Sequence, residues 1–457
     1  MIRSLRLLSL GITLGALLTT SHAQTREAAS LPLPENFFPD LKAMLETAVK
    51  QSPRMISRNA ENAIAEQSRI AARAGQLPYV GGYYSHYPWE RDDRADLPAP
   101  TTTKKSAYGV SLNQPLYHWG ALESNTRIGV LSKKVTEGQT AEAYRLLVQE
   151  IRNLYLSVII RKMAYARSQL YLAIAQDQFA IAQTKVEKKV LAGAELFTPQ
   201  LTRDQALLAT DRAAEDYENA KLTLSKLSGT PALADAQVPS EIPSFTPAPD
   251  TLAALFASYR SHKEPKSYYL ESLRDQLEIE KLNYQIAKTR LKPKLNMIIG
   301  VSQDEQSYSA YVTQRIKTQS TYAGVSLNWS IFDGYSARSA VATSLLRRQQ
   351  MEQAYEDALR NLSDSTRSAL KQLDFSARSM DFANRLLGAS QGGINAREED
   401  LRRGLISEAE LNGSRLSHLD SQIGAYNARS DYLSKTGDFL SQMLEDPALA
   451  NLPGHNP

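Results

Sequence analysis

The chain holds no cysteine in 457 residues. That excludes disulfide scaffolds, thiolate zinc sites and cysteine nucleophiles together. Histidine is scarce: His22, His86, His118, His262, His418 and His455 are scattered, and the nearest two stand 32 positions apart. No local pair therefore offers metal-ligand spacing. No run approaches the roughly 18 apolar residues that a membrane-spanning helix needs. The formal net charge is only +4, too small a bias for a nucleic-acid partner. G-x-S-x-G, H-E-x-x-H and phosphate-binding loops are all missing, so neither an enzyme nor a cofactor is expected. What is present is the mix of a folded protein, 42% hydrophobic and 22% charged. Tyrosine is abundant, with 22 against 10 phenylalanines.

Residues 1–23 read as a secretory signal. Arg3 and Arg6 form a basic start, Leu7 to Leu18 an apolar run too short to cross a bilayer, and Ser21-His22-Ala23 a cleavage site before Gln24. Gln24 is no lipid acceptor, so the exported chain is expected to be unlipidated.

A long internal repeat organises the rest. Gly109-Val110-Ser111-Leu112-Asn113 returns as Gly324-Val325-Ser326-Leu327-Asn328, an offset of 215. Pro78 maps onto Pro293 and Tyr117 onto Phe332 at the same offset. Gly193…Leu201 and Gly404…Leu411 fit an offset of 210 to 211, so the second copy is shorter there. The expected division is a signal at 1–23, an N-terminal segment at 24–52, a first repeat at 53–228, a linker and entry into the second copy at 229–264, a second repeat at 265–445, and a tail at 446–457. Pro231, Pro239, Pro243, Pro247 and Pro249 bar a helix from the joint at 229–250.

Each repeat reads as helix, strand pair, long helix, short break and last helix. Helices are expected at about 53–76 and 265–291, 121–191 and 336–402, and 199–228 and 408–440. Strands are expected at about 79–90, 106–117, 294–302 and 320–332, with polar loops at 91–105 and 303–319. Tyr79, Tyr83, Tyr87 and Trp89 share one face of the first strand by period 2. Tyr108, Val110 and Leu112 oppose Gly109, Ser111 and Asn113. The third and fourth strands likewise set Leu, Met, Ile and Val against Asn, Gly and Ser. A small uncharged polar face suits a water-filled lumen, and Tyr and Trp near the ends of an apolar face suit a membrane-interface girdle. The alternative is the half-buried sheet of a soluble domain.

Four strands cannot close a barrel, and an open edge in lipid costs several kcal/mol per unpaired group. Copies must therefore pool strands. Two copies make eight, a barrel filled by its own side chains, and three make twelve, which leaves a pore. The 71-residue stretch 121–191 would be about 105 Å long as a helix. Its apolar positions Tyr144, Leu147, Ile151, Leu154 and Val158 step by 3 and 4, as do Tyr355, Leu359, Leu362, Thr366, Ala369 and Leu373 in its companion. These are seams for neighbouring helices.

With these features the chain resembles the TolC-like outer-membrane efflux proteins over nearly all of the length after the signal. The resemblance is carried by the duplicated helix–hairpin–helix unit, by Leu77-Pro78 and Lys292-Pro293 at the entry to each strand pair, and by the segments leaving it. Those are Gln114-Pro115-Leu116-Tyr117-His118-Trp119-Gly120 and Trp329-Ser330-Ile331-Phe332-Asp333-Gly334, similar to the family's aromatic-Asp-Gly-Gly passage from strand to helix. The first copy departs from it at His118 and Trp119. The resemblance implies a mainly α fold with a membrane β-barrel: a homotrimer whose 12-stranded barrel, four strands per chain, continues into an α-helical coiled-coil tunnel. It implies an outer-membrane channel in contact with outer-membrane lipid, with its helices in the periplasm. Its partners would be a periplasmic adaptor (membrane fusion) protein and an inner-membrane RND, ABC or MFS transporter. The role is the outer component of a tripartite efflux pump or, alternatively, of type I protein secretion. A periplasmic coiled-coil or adaptor protein is a further alternative, but it has no need of two hairpins at a fixed spacing.

Candidate residues follow. Pro78, Pro115, Gly120, Pro293, Asp333 and Gly334 mark the strand-to-helix transitions. Gly193 and Gly404 are each expected to end a helix in the left-handed conformation. Thr198 reads as an N-cap with Pro199 at N1, and Ser407 with Glu410 as a capping box. Gly-Leu-containing turns like these meet the adaptor in the family, which nominates Gly193, Gly404, Leu405 and Ser407 for docking. By the same resemblance Glu410 stands where the tunnel narrows. Three such carboxylates around an axis would raise one another's pKa and attract cations. The second acid often found three positions on is Gly413 here.

Overall fold

The computed structural model describes residues 31–92, 100–261, 265–309 and 313–453. The expected signal at 1–23 lies outside them. In chain order the elements are α1 (Pro34–Phe37), α2 (Pro39–Gln51), α3 (Pro53–Ala74), β1 (Tyr79–Asp92), β2 (Thr101–Tyr117) and α4 (Ala121–Glu187). After a 3-10 turn at Gly193–Leu196 come α5 (Phe197–Ser228), α6 (Pro249–Ser261), α7 (Tyr268–Lys288), β3 (Lys294–Ser309), β4 (Thr313–Asn328), α8 (Ser336–Arg402), α9 (Glu408–Gln442) and a 3-10 turn at Pro447–Asn451. The long helices α4 and α8 each have 67 residues. Much of each expected polar loop is strand: β2 begins at Thr101, β3 runs to Ser309 and β4 begins at Thr313. Cross-strand pairing holds polar residues in extended form as well as apolar ones, so hydrophobic alternation understates the strand length.

The chain divides into two compact units. One contains residues 60–139 and 269–359. Its centre is one antiparallel sheet in the order β1-β2-β3-β4, so the two hairpins are joined through β2 and β3. The offset of 215 therefore relates strands of a single continuous sheet. Near the sheet's helices Glu66 bonds Arg69 (2.9 and 2.7 Å) and Lys133 (3.0 Å), linking α3 to α4. Those hydrogen bonds hold its carboxyl well down, at about 2.

The other unit contains the described part of 31–59 together with 140–268 and 360–453. Tyr144, Leu147, Ile151 and Val158 of α4 are buried in its core with Leu41 and Leu45 of α2. A second cluster joins Leu31, Leu33 and Leu252 to Leu373 and Met380 of α8 and Phe439 of α9. Between the helices lies Arg152, fully buried on α4. It donates to both oxygens of Glu35, at 2.9 Å from Nε, and to both oxygens of Asp446, at 2.5 and 2.8 Å. Burial alone would depress this guanidinium, but the two carboxylates override it and raise its pKa. One cation thus ties the segment before α2 and the segment after α9 to the middle of α4.

Candidate functional site

The strand register settles which side chains share a face. Tyr79 lies opposite Asn113, Gly81 opposite Ser111 and Tyr83 opposite Gly109. Gly109 faces Ser302, Ser111 faces Gly300, and Gly300 faces Tyr322. Tyr79 and Tyr83 therefore belong to the small polar face, not to the apolar one that the alternation suggested. The opposite face carries Val80 and Tyr84, Tyr108, Val110 and Leu112, Met297, Ile299 and Val301, and Val325 and Leu327. Trp89 does not continue the tyrosine row. A bulge between Tyr87 and Glu90 sets these two opposite Lys105 and Thr103, two positions apart and hence on one face.

At the base of the sheet the two copies build matching junctions. Gln114 Nε2 donates to the Gln76 carbonyl (2.9 Å), and at the equivalent place Trp329 Nε1 donates to the Leu291 carbonyl (3.0 Å). Pro78 and Pro293 precede the first residue of β1 and β3. Pro115 sits at a register shift of β2, where its missing N–H does no harm. Each strand-to-helix passage then has two successive left-handed residues: Trp119 and Gly120 (φ 58 and 79°), then Gly334 and Tyr335 (φ 64 and 66°). Each copy spends one glycine on this geometry and forces one aromatic residue into it. Asp333 caps α8, accepting from the Ala337 N–H at 2.9 Å. His118, in the equivalent place, bonds Asn296 instead (2.9 Å), while the Trp119 indole donates to the Pro293 carbonyl (2.7 Å) beneath Lys292 Nζ (4.6 Å from the ring centre).

The break after each long helix has a shared core and a corrected first copy. Gly404 (φ 72°) ends α8, with Gly404 N–H donating to the Leu401 carbonyl and Leu405 N–H to the Asp400 carbonyl (both 2.9 Å). This is a Schellman ending. The first copy makes the same ending one repeat earlier at Lys189 (φ 57°), with Lys189 N–H to Val186 (2.9 Å) and Val190 N–H to Lys185 (2.8 Å). Gly193 has no positive φ and opens the 3-10 turn instead. Thr198 is no N-cap either, because α5 continues directly out of that turn from Phe197. Val190 and Leu405, each following its left-handed residue, are 73% and 69% exposed.

Ser407 is the N-cap of α9. Its Oγ accepts from the Glu410 N–H (3.3 Å), and Glu410 Oε2 accepts from the Ser407 N–H (2.8 Å) and hydroxyl (3.1 Å). The bond from the Ser407 backbone, then that from its side chain, draws the Glu410 carboxyl below its ordinary value. Both groups are exposed. Among the described residues no cluster of acidic or histidine side chains could hold a metal.

A family model described as outer membrane efflux protein matches residues 44–230 and 270–436. No curated protein matches the chain. Among solved structures, the Campylobacter jejuni CmeC outer membrane channel aligns at TM-score 0.67 and 14% identity, over 97% of this chain and 94% of its own. A membrane protein from Pseudomonas aeruginosa aligns at 0.66 and 16%, over 91% and 96%. The outer membrane protein VceC of Vibrio cholerae aligns at 0.64 and 12%, over 89% and 96%. At such identities these likenesses establish the fold.

Proposed function

The chain belongs to the outer membrane efflux protein family, and on that premise we propose that three copies close their sheets into one twelve-stranded pore. The protein is an outer-membrane component of efflux pumps, a channel and not an enzyme. Members of the family generally form trimers that work with adaptors and inner-membrane transporters.

The observation that carries the proposal is the sheet's incompleteness. β1 and β4 each pair on one side only. The strand directions alternate, so β4 of one copy runs antiparallel to β1 of the next and extends the ladder without a break. The Val, Leu, Ile and Met face then meets lipid, and the Gly, Ser, Asn and Tyr face meets water. The exposed break at Gly193 and the one at Gly404, Leu405 and Ser407 meet the adaptor, and Glu410 lies beside the second as the candidate gate.

The native absence of cysteine makes the test clean. Val80→Cys on β1 is combined with single cysteines along residues 319–327 of β4 and oxidised in native membranes. Some register should yield covalent products that stop at three chains. A ladder ending at two, or continuing past three, would overturn the trimer.

A further inference from the structure

The tyrosines of the small-residue face are laid down by glycine. A Cβ on Gly109 would stand 2.7 Å from Tyr83 Cε1, one on Gly300 2.5 Å from the Tyr322 hydroxyl, and one on Gly81 2.9 Å from Tyr79 Cε1. Each ring therefore lies across a glycine, and two of the three pairs are direct cross-strand partners. A ring lying against the backbone presents its π face away from the sheet. Tyr79, Tyr83 and Tyr322 are 72%, 58% and 45% exposed. Tyr83 and Tyr322 sit on β1 and β4, the two edges that the trimer would bring together. Each seam would then gather tyrosines from two copies.

Charge on this face is confined to its two ends, with Lys294 at the base of β3, opposite Asn328. From Tyr79 to Ser85, Ala107 to Asn113, Ile298 to Ser302 and Thr318 to Ser326, no residue of the face carries charge. At the end nearer the hairpin loops, Glu90 is paired with Lys105 (2.8 Å), and Asp304 adds an exposed carboxylate opposite Ala107 and Thr318. Exposed aromatic faces attract cations, and flat ones stack on planar rings.

We propose that this face is a binding wall for aromatic cations, so that the pore holds such cargo in preference to aliphatic cations of equal charge. The proposal rests on the channel reading above.

The test is single-channel recording of the full-length protein in planar bilayers, with benzyltrimethylammonium and tetramethylammonium as blockers. Both blockers carry the same ammonium, so ring stacking alone separates them; with two such rings at each seam, each worth roughly twofold or more, the aromatic ion should block at a concentration at least about fivefold lower. Combining Tyr83→Leu with Tyr322→Leu should bring the two blockers within about twofold of each other, whereas Phe at both positions should keep the preference. Tyr84→Leu, on the opposite face, should also keep it. The open-pore current of each variant reports that it has assembled. A conducting wild type without aromatic preference overturns this proposal alone, as does a preference that survives the double leucine variant. A wild type that conducts nothing removes the channel reading, and this proposal with it.

Discussion

Lys189 occupies a backbone position that its own repeat partner fills with glycine. A non-glycine residue in the left-handed region costs roughly 1–2 kcal/mol. Lys189→Gly is therefore expected to stabilise the end of α4 by about 1 kcal/mol, and Gly404→Ala to destabilise the end of α8 by about as much. Amide hydrogen exchange over residues 185–191 and 400–406 would register both changes. Glu410 has a pH signature at the same scale. Its folded pKa lies below the ordinary 4.5, so its contribution to the cap is complete above 4.5 and fades as pH falls through the lowered value. The first turn of α9 should lose exchange protection only in acid, and Glu410→Gln should flatten that dependence. A close trio of carboxylates would push the same group upward, so a loss of protection that begins well above pH 4.5 would indicate mutual repulsion in the trimer.

At the scale of elements, several glycines of α8 and α9 have no packing reason within one chain. A Cβ on Gly388, Gly392 or Gly393 of α8 meets nothing within 4 Å, and the same holds for Gly413 and Gly424 of α9. Alanine at Gly388 or Gly392 should raise stability by about 0.5–1 kcal/mol each, read as a higher unfolding temperature in detergent. Loss of stability would mean that another copy packs against these positions. The element order was readable in the sequence because helical seams and paired strands leave distinct periods, and the duplication let each copy check the other. The faces of β1 were not. Tyr83 and Tyr84 are neighbours and point oppositely, so tyrosine occurs on both faces and only pairing with Gly109 and Tyr108 tells them apart. The break after each long helix was only half readable for a similar reason. Glycine advertises a left-handed ending at Gly404, while Lys189 carries no such mark and Gly193, a few residues later, draws attention to the wrong position.

For the whole molecule, the burial of Arg152 between two carboxylates is the feature with the widest reach. Arg152→Ala would strand Glu35 and Asp446 in the core, and removal of one side of such a cluster typically costs about 3–5 kcal/mol. The expected outcome is a chain that no longer assembles in the outer membrane, measured as loss of the detergent-resistant oligomer. Replacing all three by Met, Leu and Leu should restore most of the loss, because buried charge clusters are often exchangeable for packed apolar groups. The same guanidinium holds residues from both ends of the described chain within reach of one side chain. Glu35 and Asp446 are neighbours, so a linker between the segments that carry them could join these two parts of the chain, and new ends could be opened in the proline-rich stretch 229–248. Such a rearranged gene would translate the second repeat first. Its product would show whether the order in which the hairpins emerge matters to building the wall they share.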